Sequence, residues 1–345
     1  PRTHLVFLKT HKTGGSSVVN LLHRFGESRG LRFALPHGYQ FGYPEPFRAQ
    51  RVKGFHPGGT PFDIICHHIP PQNPLNTLLT APDPPQVAKV MPNDSFYFSI
   101  VRDPGTLGES AFSYYRSVAP AFRRAPSLAA FVAAPLRFYE AGARGNHYAR
   151  NLQWFDFGLP PVPPSDAGAV QAALSQLDRD FPLVLLTERF DESLVLLRDA
   201  LCWPDDAVAA FVHNSRTPAG KARRVSQGDI ERLRAWNHLD WALYSHLNRS
   251  FAKKVEAYGA QRLRKEVEGL RKRREELARR CLKGGGPLPA RVIADGELRP
   301  FQPPGREQIL GYEVKEGLEP AERLLCSRLA TPELQYKDLL DRKQF

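Results

Sequence analysis

The segment His4–Asn20, HLVFLKTHKTGGSSVVN, decides the reading of this chain. Leu5, Val6, Phe7 and Leu8 form an apolar run expected to be a buried strand. Lys9 ends it, and Thr10, His11, Lys12, Thr13, Gly14 and Gly15 make a polar turn. Ser16 or Ser17 then opens a helix carrying Val18, Val19, Leu21 and Leu22. A strand that turns into a helix start presents free backbone N–H groups and the positive end of the helix dipole to one point. With two lysines and several hydroxyls in the turn, phosphate or sulfate is the expected guest. The Walker order, glycine before Gly-Lys-Ser/Thr, is absent because here the lysines precede the glycines, which disfavours a kinase or GTPase.

The rest of the chain is compatible with that centre. Its 345 residues can hold one large domain or two, with an ordinary globular composition. A net charge of +12 calls for an anionic partner, either a phosphorylated cofactor, an acidic glycan surface or nucleic acid. No nucleic-acid-binding signature accompanies the charge. The four cysteines, Cys66, Cys202, Cys281 and Cys326, contain no CxxC pair, so no metal site is expected. Asn93 and Asn248 begin glycosylation sequons. No apolar run is long enough to span a bilayer and no signal peptide is visible, so the start at Pro1 is read as a trimmed luminal fragment.

Strands are expected at 31–35, 62–66, 95–101 and 181–186, with helices between them. The spacing predicts helices over 107–118, 128–134, 142–157, 167–177, 191–201, 205–212, 227–236 and 240–247. One long basic helix is expected from Ser250 to Leu282 and a final helix over 331–340. The alternation argues for an α/β fold with a mainly parallel sheet, which binds ligands at the carboxyl ends of its strands. Those ends gather Lys9–Thr13, Cys66–His68, Arg102–Asp103 and Thr187–Arg189 around one crevice. Arg102, at the end of SFYFSIV, and Ser110, two turns into the next helix, form a second candidate anion site. The alternative for Arg102 is an ion pair with Asp103.

Taken together these stretches resemble the Golgi galactose 3-O-sulfotransferases. The resemblance runs in order along nearly the whole chain: LVFLKTHKT, HRFGESRGLRFALPHG, FDIICHH, VMPNDSFYFSIVRDP, ESAFSYY, LVLLTERFDESLVLLRDALCW, ILGY and TPELQY. It is nearer to the members acting on glycoprotein glycans than to the glycolipid, cerebroside member. It implies a P-loop-like sulfotransferase fold, with a catalytic domain over 1–282 and a C-terminal extension over 283–345 packed on it. The donor would be 3′-phosphoadenosine-5′-phosphosulfate (PAPS), the product PAP, with no metal.

Carried over by residue, Lys9, Thr10, His11, Lys12, Thr13, Gly14, Gly15, Ser16 and Ser17 would hold the 5′-phosphosulfate. Arg102 and Ser110 would hold the 3′-phosphate, and Asn214 and Arg216 would lie near the nucleotide. His67, His68 and Glu188 are the acceptor candidates. His68 is the first choice of base and His11 the second, with Lys12, helped by Lys9, facing the leaving phosphate. Trp154, Phe155 and Phe157 read as core, and Asp191 and Glu192 as helix-start carboxylates.

The implied acceptors are terminal β-galactosides of glycoproteins, with glycolipids as the second class, in the Golgi lumen. Nucleic acid is not an expected partner, a homodimer is left open, and membrane attachment would come only from an N-terminal anchor outside this chain. A non-catalytic glycan-binding protein on the same frame is the alternative from another class. The sequence departs from the family pattern at Gly14-Gly15 and in the Pro-rich run after His68. A disulfide between Cys281 and Cys326 would tie the tail to the basic helix, whereas Cys66 and Cys202 read as buried thiols.

Overall fold

The computed structural model describes residues 1–70, 85–163, 165–215, 225–303 and 308–345. Its centre is a four-stranded sheet in which every pairing is parallel. The strands are β1 (Leu5–Leu8), β2 (Ile64–His67), β3 (Phe96–Val101) and β4 (Leu183–Leu186), in the spatial order β2-β1-β3-β4. β1 lies between β2 and β3, with Phe7 opposite both Cys66 and Phe98. Helices cover both faces of a parallel sheet, so its strands read as continuous apolar runs, and β1, β2 and β4 are buried at every position.

Helix α1 (Gly15–Glu27) follows β1, and α2 (Pro104–Tyr115) follows β3. After β3 come three short helices, α3 (Pro120–Arg124), α4 (Leu128–Ala133) and α5 (Leu152–Asp156), then α6 (Ala167–Asp180). Beyond β4 lie α7 (Phe190–Leu201), α8 (Gln227–Trp236), α9 (His238–Tyr258) and α10 (Ala260–Cys281). A two-residue ribbon, β5 (Leu288–Pro289) with β6 (Leu310–Gly311), precedes α11 (Pro320–Ala330) and α12 (Glu333–Gln344). One apolar core runs from β1 through α1 to Cys326, Leu329 and Tyr336 of the last two helices. A satellite core around Phe112, Phe122 and Phe131 supports α2.

The expected α/β class with a parallel sheet is observed. Five details differ. The helix expected over 205–212 is only a 3₁₀ turn at Asp205–Val208. Residues 31–35 contribute a single bridge, Phe33 to Ile64, rather than a strand. The long helix expected over 250–282 is two helices, because Gly259 turns to φ +94° between them. The helix expected over 142–157 is a short 3₁₀ turn at Asn146–Ala149 followed by α5. Cys202 is exposed, not buried: it sits past the end of α7 with φ +53°, where the chain must leave the helix. Cys66 is buried, and Cys281 and Cys326 form a disulfide joining α10 to α11. No helix among the described residues is long and apolar enough to cross a membrane.

Candidate active site

The loop from Lys9 to Gly14 crosses the carboxyl end of β1. It is held from below by its own threonines. Thr10 Oγ1 donates to Ile100 O on β3, and Thr13 Oγ1 donates to Thr10 O at 3.1 Å. Thr187, just past β4, donates to Thr13 O at 2.6 Å. Thr10 and Thr13 are both buried, so their hydroxyls serve the loop and do not face the cleft as expected of ligands. Two residues adopt left-handed backbone here, Lys12 at φ +60° and Gly14 at φ +82°. A lysine in that region is strained, and such strain gathers where a side chain must be aimed.

The two glycines have separate reasons. Gly14 makes the left-handed turn into α1. At Gly15 a Cβ would stand 2.9 Å from Lys9 Cγ, so the bare backbone lets the lysine stem lie across the helix start. The departure at Gly14-Gly15 therefore supports a particular lysine path. No side chain caps α1 among the described residues. The first N–H groups of a long buried helix are thus left for a ligand, with the helix dipole behind them.

Lys9 Nζ donates to both oxygens of Glu333 at 2.6 and 2.7 Å. Ser16 Oγ donates to the same carboxylate at 2.7 Å and accepts from Asn214 Nδ2 at 2.7 Å. Burial alone would raise the Glu333 carboxyl, but the Lys9 charge and these bonds hold it at about 2. Lys9 is therefore a fixed, neutralised element of the wall. Lys12 points elsewhere: its Nζ lies 3.8 Å from the centre of the Tyr114 ring, as a cation–π contact.

The histidines converge as pairs. The rings of His11 and His68 stack with centroids 3.6 Å apart and planes 7° apart. His11 Nδ1 lies 2.9 and 3.1 Å from the two oxygens of Asp156, which also accepts the His11 backbone N–H at 2.7 Å. Tyr43 donates to Asp156 at 3.0 Å. His68 Nδ1 sits 2.8 Å from Lys9 O. Burial, with His11 and Lys9 nearby, pushes the His68 imidazole well below its ordinary range. His67 is buried and lowered to about 4, chiefly by desolvation.

Arg102 leaves β3 and donates to Thr106 Oγ1 at 3.0 Å and to Lys12 O at 3.1 Å. Asp103 is engaged by Arg234 instead and caps α2 by accepting from Gly105 N at 2.8 Å. The ion pair weighed for Arg102 and Asp103 is not the one formed. Ser110 is buried in α2, and neither it nor Arg102 lines the cavities described next.

Two cavities open from this loop. One, of about 420 Å³, is walled by His11, His68, Tyr115, Tyr148 and Glu333, with Tyr39 and Phe301 at its mouth. The other, of about 820 Å³, is walled by four arginines, Arg189, Arg264, Arg271 and Arg274, together with four acids, Glu188, Asp191, Glu192 and Glu268. Gly14 borders both. Glu188 faces the second, accepting Asp103 N–H at 2.9 Å, so its expected place in the acceptor pocket is not observed. Asp191 bonds Arg271 at 2.7 Å and Arg274, as a helix-start carboxylate. Trp154 and Phe157 are core, and Phe155 stacks on His147. Arg216 and residues 71–84 of the Pro-rich insert lie outside the described residues. Asn93 and Asn248 are both exposed, Asn93 in a turn and Asn248 within α9.

A strand–loop–helix anion cradle with an aimed lysine, a stacked histidine pair and a second chamber carrying four arginines is suited to group transfer from an anionic donor. The model of one family, galactose-3-O-sulfotransferase, matches residues 1–344. The chain belongs to that family. Its relatives include galactose-3-O-sulfotransferase 4 of Bos taurus, 48% identical over 415 residues, covering all of this chain and 83% of the relative. Galactose-3-O-sulfotransferase 2 of Homo sapiens is 47% identical over 350 residues, covering all of this chain and 84% of the relative. Galactosylceramide sulfotransferase of Bos taurus is more distant, 40% identical over 340 residues, covering 97% and 77%. The protein is a sulfotransferase, and its family implies a sulfate donor and a galactose-bearing acceptor, glycan or glycolipid. Among the described residues no cluster of three His, Cys, Asp or Glu could hold a metal ion.

Three residues of this sulfotransferase site were not picked out from sequence: Tyr43, Asp156 and Glu333. Asp156 lies in WFDFG, where its apolar neighbours read as core. Glu333 lies in TPELQY, a family-like segment with no local sign of an anion site.

Proposed function

We propose that the protein transfers a sulfuryl group from PAPS to the 3-hydroxyl of a terminal β-galactose on glycoprotein-type glycans. The observation that carries this reading is Lys12 on a strained loop beside both an uncapped helix start and the His11–His68 stack. PAPS supplies a sulfuryl group already bonded to a good phosphate leaving group. The N–H groups from Gly14 to Ser16 receive its 5′-phosphosulfate, and Lys12 offsets charge developing on the leaving oxygen. Arg102 offers its fork to the 3′-phosphate, and the arginine-rich chamber accommodates the adenosine side.

The acceptor enters the aromatic chamber, where a histidine of the stacked pair takes the hydroxyl proton. Tyrosine and phenylalanine faces suit the apolar face of a galactose ring. Glycoprotein-type glycans are favoured over galactosylceramide because the relative named for galactosylceramide is less similar to this chain than those named galactose-3-O-sulfotransferase. The reaction is placed in the Golgi lumen, and the Cys281–Cys326 disulfide supports an oxidising compartment.

Labelled PAPS offered with a panel of β-galactosides, followed by NMR location of the sulfate, tests the reading. A 3-O-sulfated galactose is expected. Sulfate on another carbon, or PAPS bound without turnover on any galactoside, would overturn it.

A further inference from the structure

We propose that Asp156 is the positioning residue of this reaction and makes His11, rather than His68, the group that takes the acceptor's proton. The inference rests on the sulfuryl-transfer reading above.

Both histidines have the same tautomer imposed on them, by different partners. A carboxylate and a carbonyl oxygen can only accept, so the ring nitrogen facing each carries the hydrogen. His11 Nδ1–H points at Asp156, and His68 Nδ1–H points at Lys9 O. Each Nε2 is then a bare lone pair, and neither has a hydrogen-bond partner among the described residues. Both rings line the aromatic cavity. Lone-pair geometry alone therefore does not choose between them.

Charge does. When a proton arrives at Nε2, the ring becomes an imidazolium. On His11 that cation forms directly against the Asp156 carboxylate, whose side chain is 1% exposed. On His68 it would form against a neutral carbonyl, with Lys9 as the nearby charge and the His11 ring at 3.6 Å. Two imidazolium rings at that spacing would repel strongly. The pair therefore takes one proton, and Asp156 directs it to His11. His68 remains the neutral face on which His11 is held flat.

Asp156 is itself rigidly held. Asp240 accepts the N–H groups of Gln153 and Trp154 at 3.2 and 2.8 Å, fixing the start of α5. Gln153 exchanges two bonds with the Arg102 backbone, at 2.7 and 2.8 Å, tying α5 to the end of β3. Tyr43 holds one carboxylate oxygen.

The step balances. The galactose oxygen forms its bond to sulfur as the bond from sulfur to the phosphate oxygen breaks. The electron pair of that bond leaves on the phosphate, facing Lys12. The hydroxyl proton passes to His11 Nε2 and is later released to water.

Several groups face His11 and enter any pH profile: Asp156 from α5, Tyr43, His68, Tyr115 from α2, His147 and Tyr148, with Lys9 and Lys12 on its own loop. Behind α5 stands Asp240, which burial, opposed by its two N–H bonds and assisted by the Asp156 charge, raises to about 7.

The test is Asp156→Asn, which keeps shape and an acceptor oxygen but removes the charge. By comparison with other carboxylate–histidine pairs, kcat is expected to fall on the order of 10²-fold or more, with KM for the galactoside changed less than about threefold. Without the carboxylate the imidazolium is less favoured, so the acid limb of kcat/KM moves to lower pH. Asp156→Glu should return part of the rate and the limb. A merely structural role would lower the rate at every pH and leave the limb in place, which overturns the proposal. In Asp240→Asn the limb should stay where it is in wild type; if it moves there and not in Asp156→Asn, the proposal is also overturned.

A readout independent of turnover separates this inference from the functional reading. Histidine ¹⁵N correlation spectra should show His11 with hydrogen on Nδ1, titrating at lower pH in Asp156→Asn. An unmoved His11 titration overturns the role of Asp156 whatever the enzyme's activity. If His11 shifts as expected but no galactoside is sulfated, only the functional reading fails.

Discussion

The two chambers that meet at Gly14 have opposite chemistry. The smaller is walled largely by rings, with the Lys9–Glu333 pair and Lys12 in its lining and Asp156 behind His11. The larger is walled by arginines from α10 and the turn after β4, paired in part with acids on α7. On the proposed reading the sugar enters the first, and the nucleotide donor meets guanidinium groups in the second. One loop can therefore join two ligands of unlike polarity because each wall is built from different parts of the chain. Lys12 lines the smaller chamber, two residues before Gly14, which borders both.

The sharpest way to break this division is Lys12→Ala. Removing the charge at the junction should lower kcat on the order of 10³-fold while both ligands still bind, measured by transfer of labelled sulfate and by calorimetry with PAP. Near-normal turnover would mean that the junction does no chemistry. Next is the wall itself. Glu333→Gln leaves Lys9 buried without its partner and should destabilise the fold by about 3 kcal/mol, read by thermal melts. The Glu333 carboxyl is lowered in the folded state to about 2, from 4.5. Its contribution is therefore fully present above pH 4.5 and is lost as pH falls towards 2. The variant should lack that portion of the acid transition.

Two smaller effects sharpen the comparison. Phe301→Ala, at the mouth of the aromatic chamber, should raise KM for the galactoside about tenfold and leave KM for PAPS unchanged. Arg264→Ala, in the basic chamber, should do the reverse, by about fivefold. If either variant moved the other ligand's KM, the assignment of chambers would be exchanged or lost. Smallest is Tyr43→Phe, which removes one donor from Asp156 and should cost about threefold in kcat, since a single neutral hydrogen bond contributes only about 1 kcal/mol.

What was legible in the sequence was local. The cradle lies within Lys9–Ser17, so its lysines, glycines and helix start could be read from spacing alone. The strands could be read because a buried parallel sheet leaves apolar runs. The disulfide partners could be paired because they flank one segment. The unread part depends on contacts with no local trace. Asp156 meets His11 across 145 residues and Glu333 meets Lys9 across 324, the first from a segment that looks like core and the second from one with no local sign of a site. Gly259 was invisible because the helical period continues on both sides of it. Thr10 and Thr13 look like ligands in sequence, yet only the fold shows their hydroxyls turned inward.

The bond from Lys9 to Glu333 also has a consequence in time. The first strand leaves the ribosome long before the last helix is synthesised, and a growing polypeptide organises from its amino end. Until the helix that carries Glu333 has emerged, Lys9 lacks the counter-charge seen in the folded protein. The loop is therefore made early but its wall is closed late, when that helix docks.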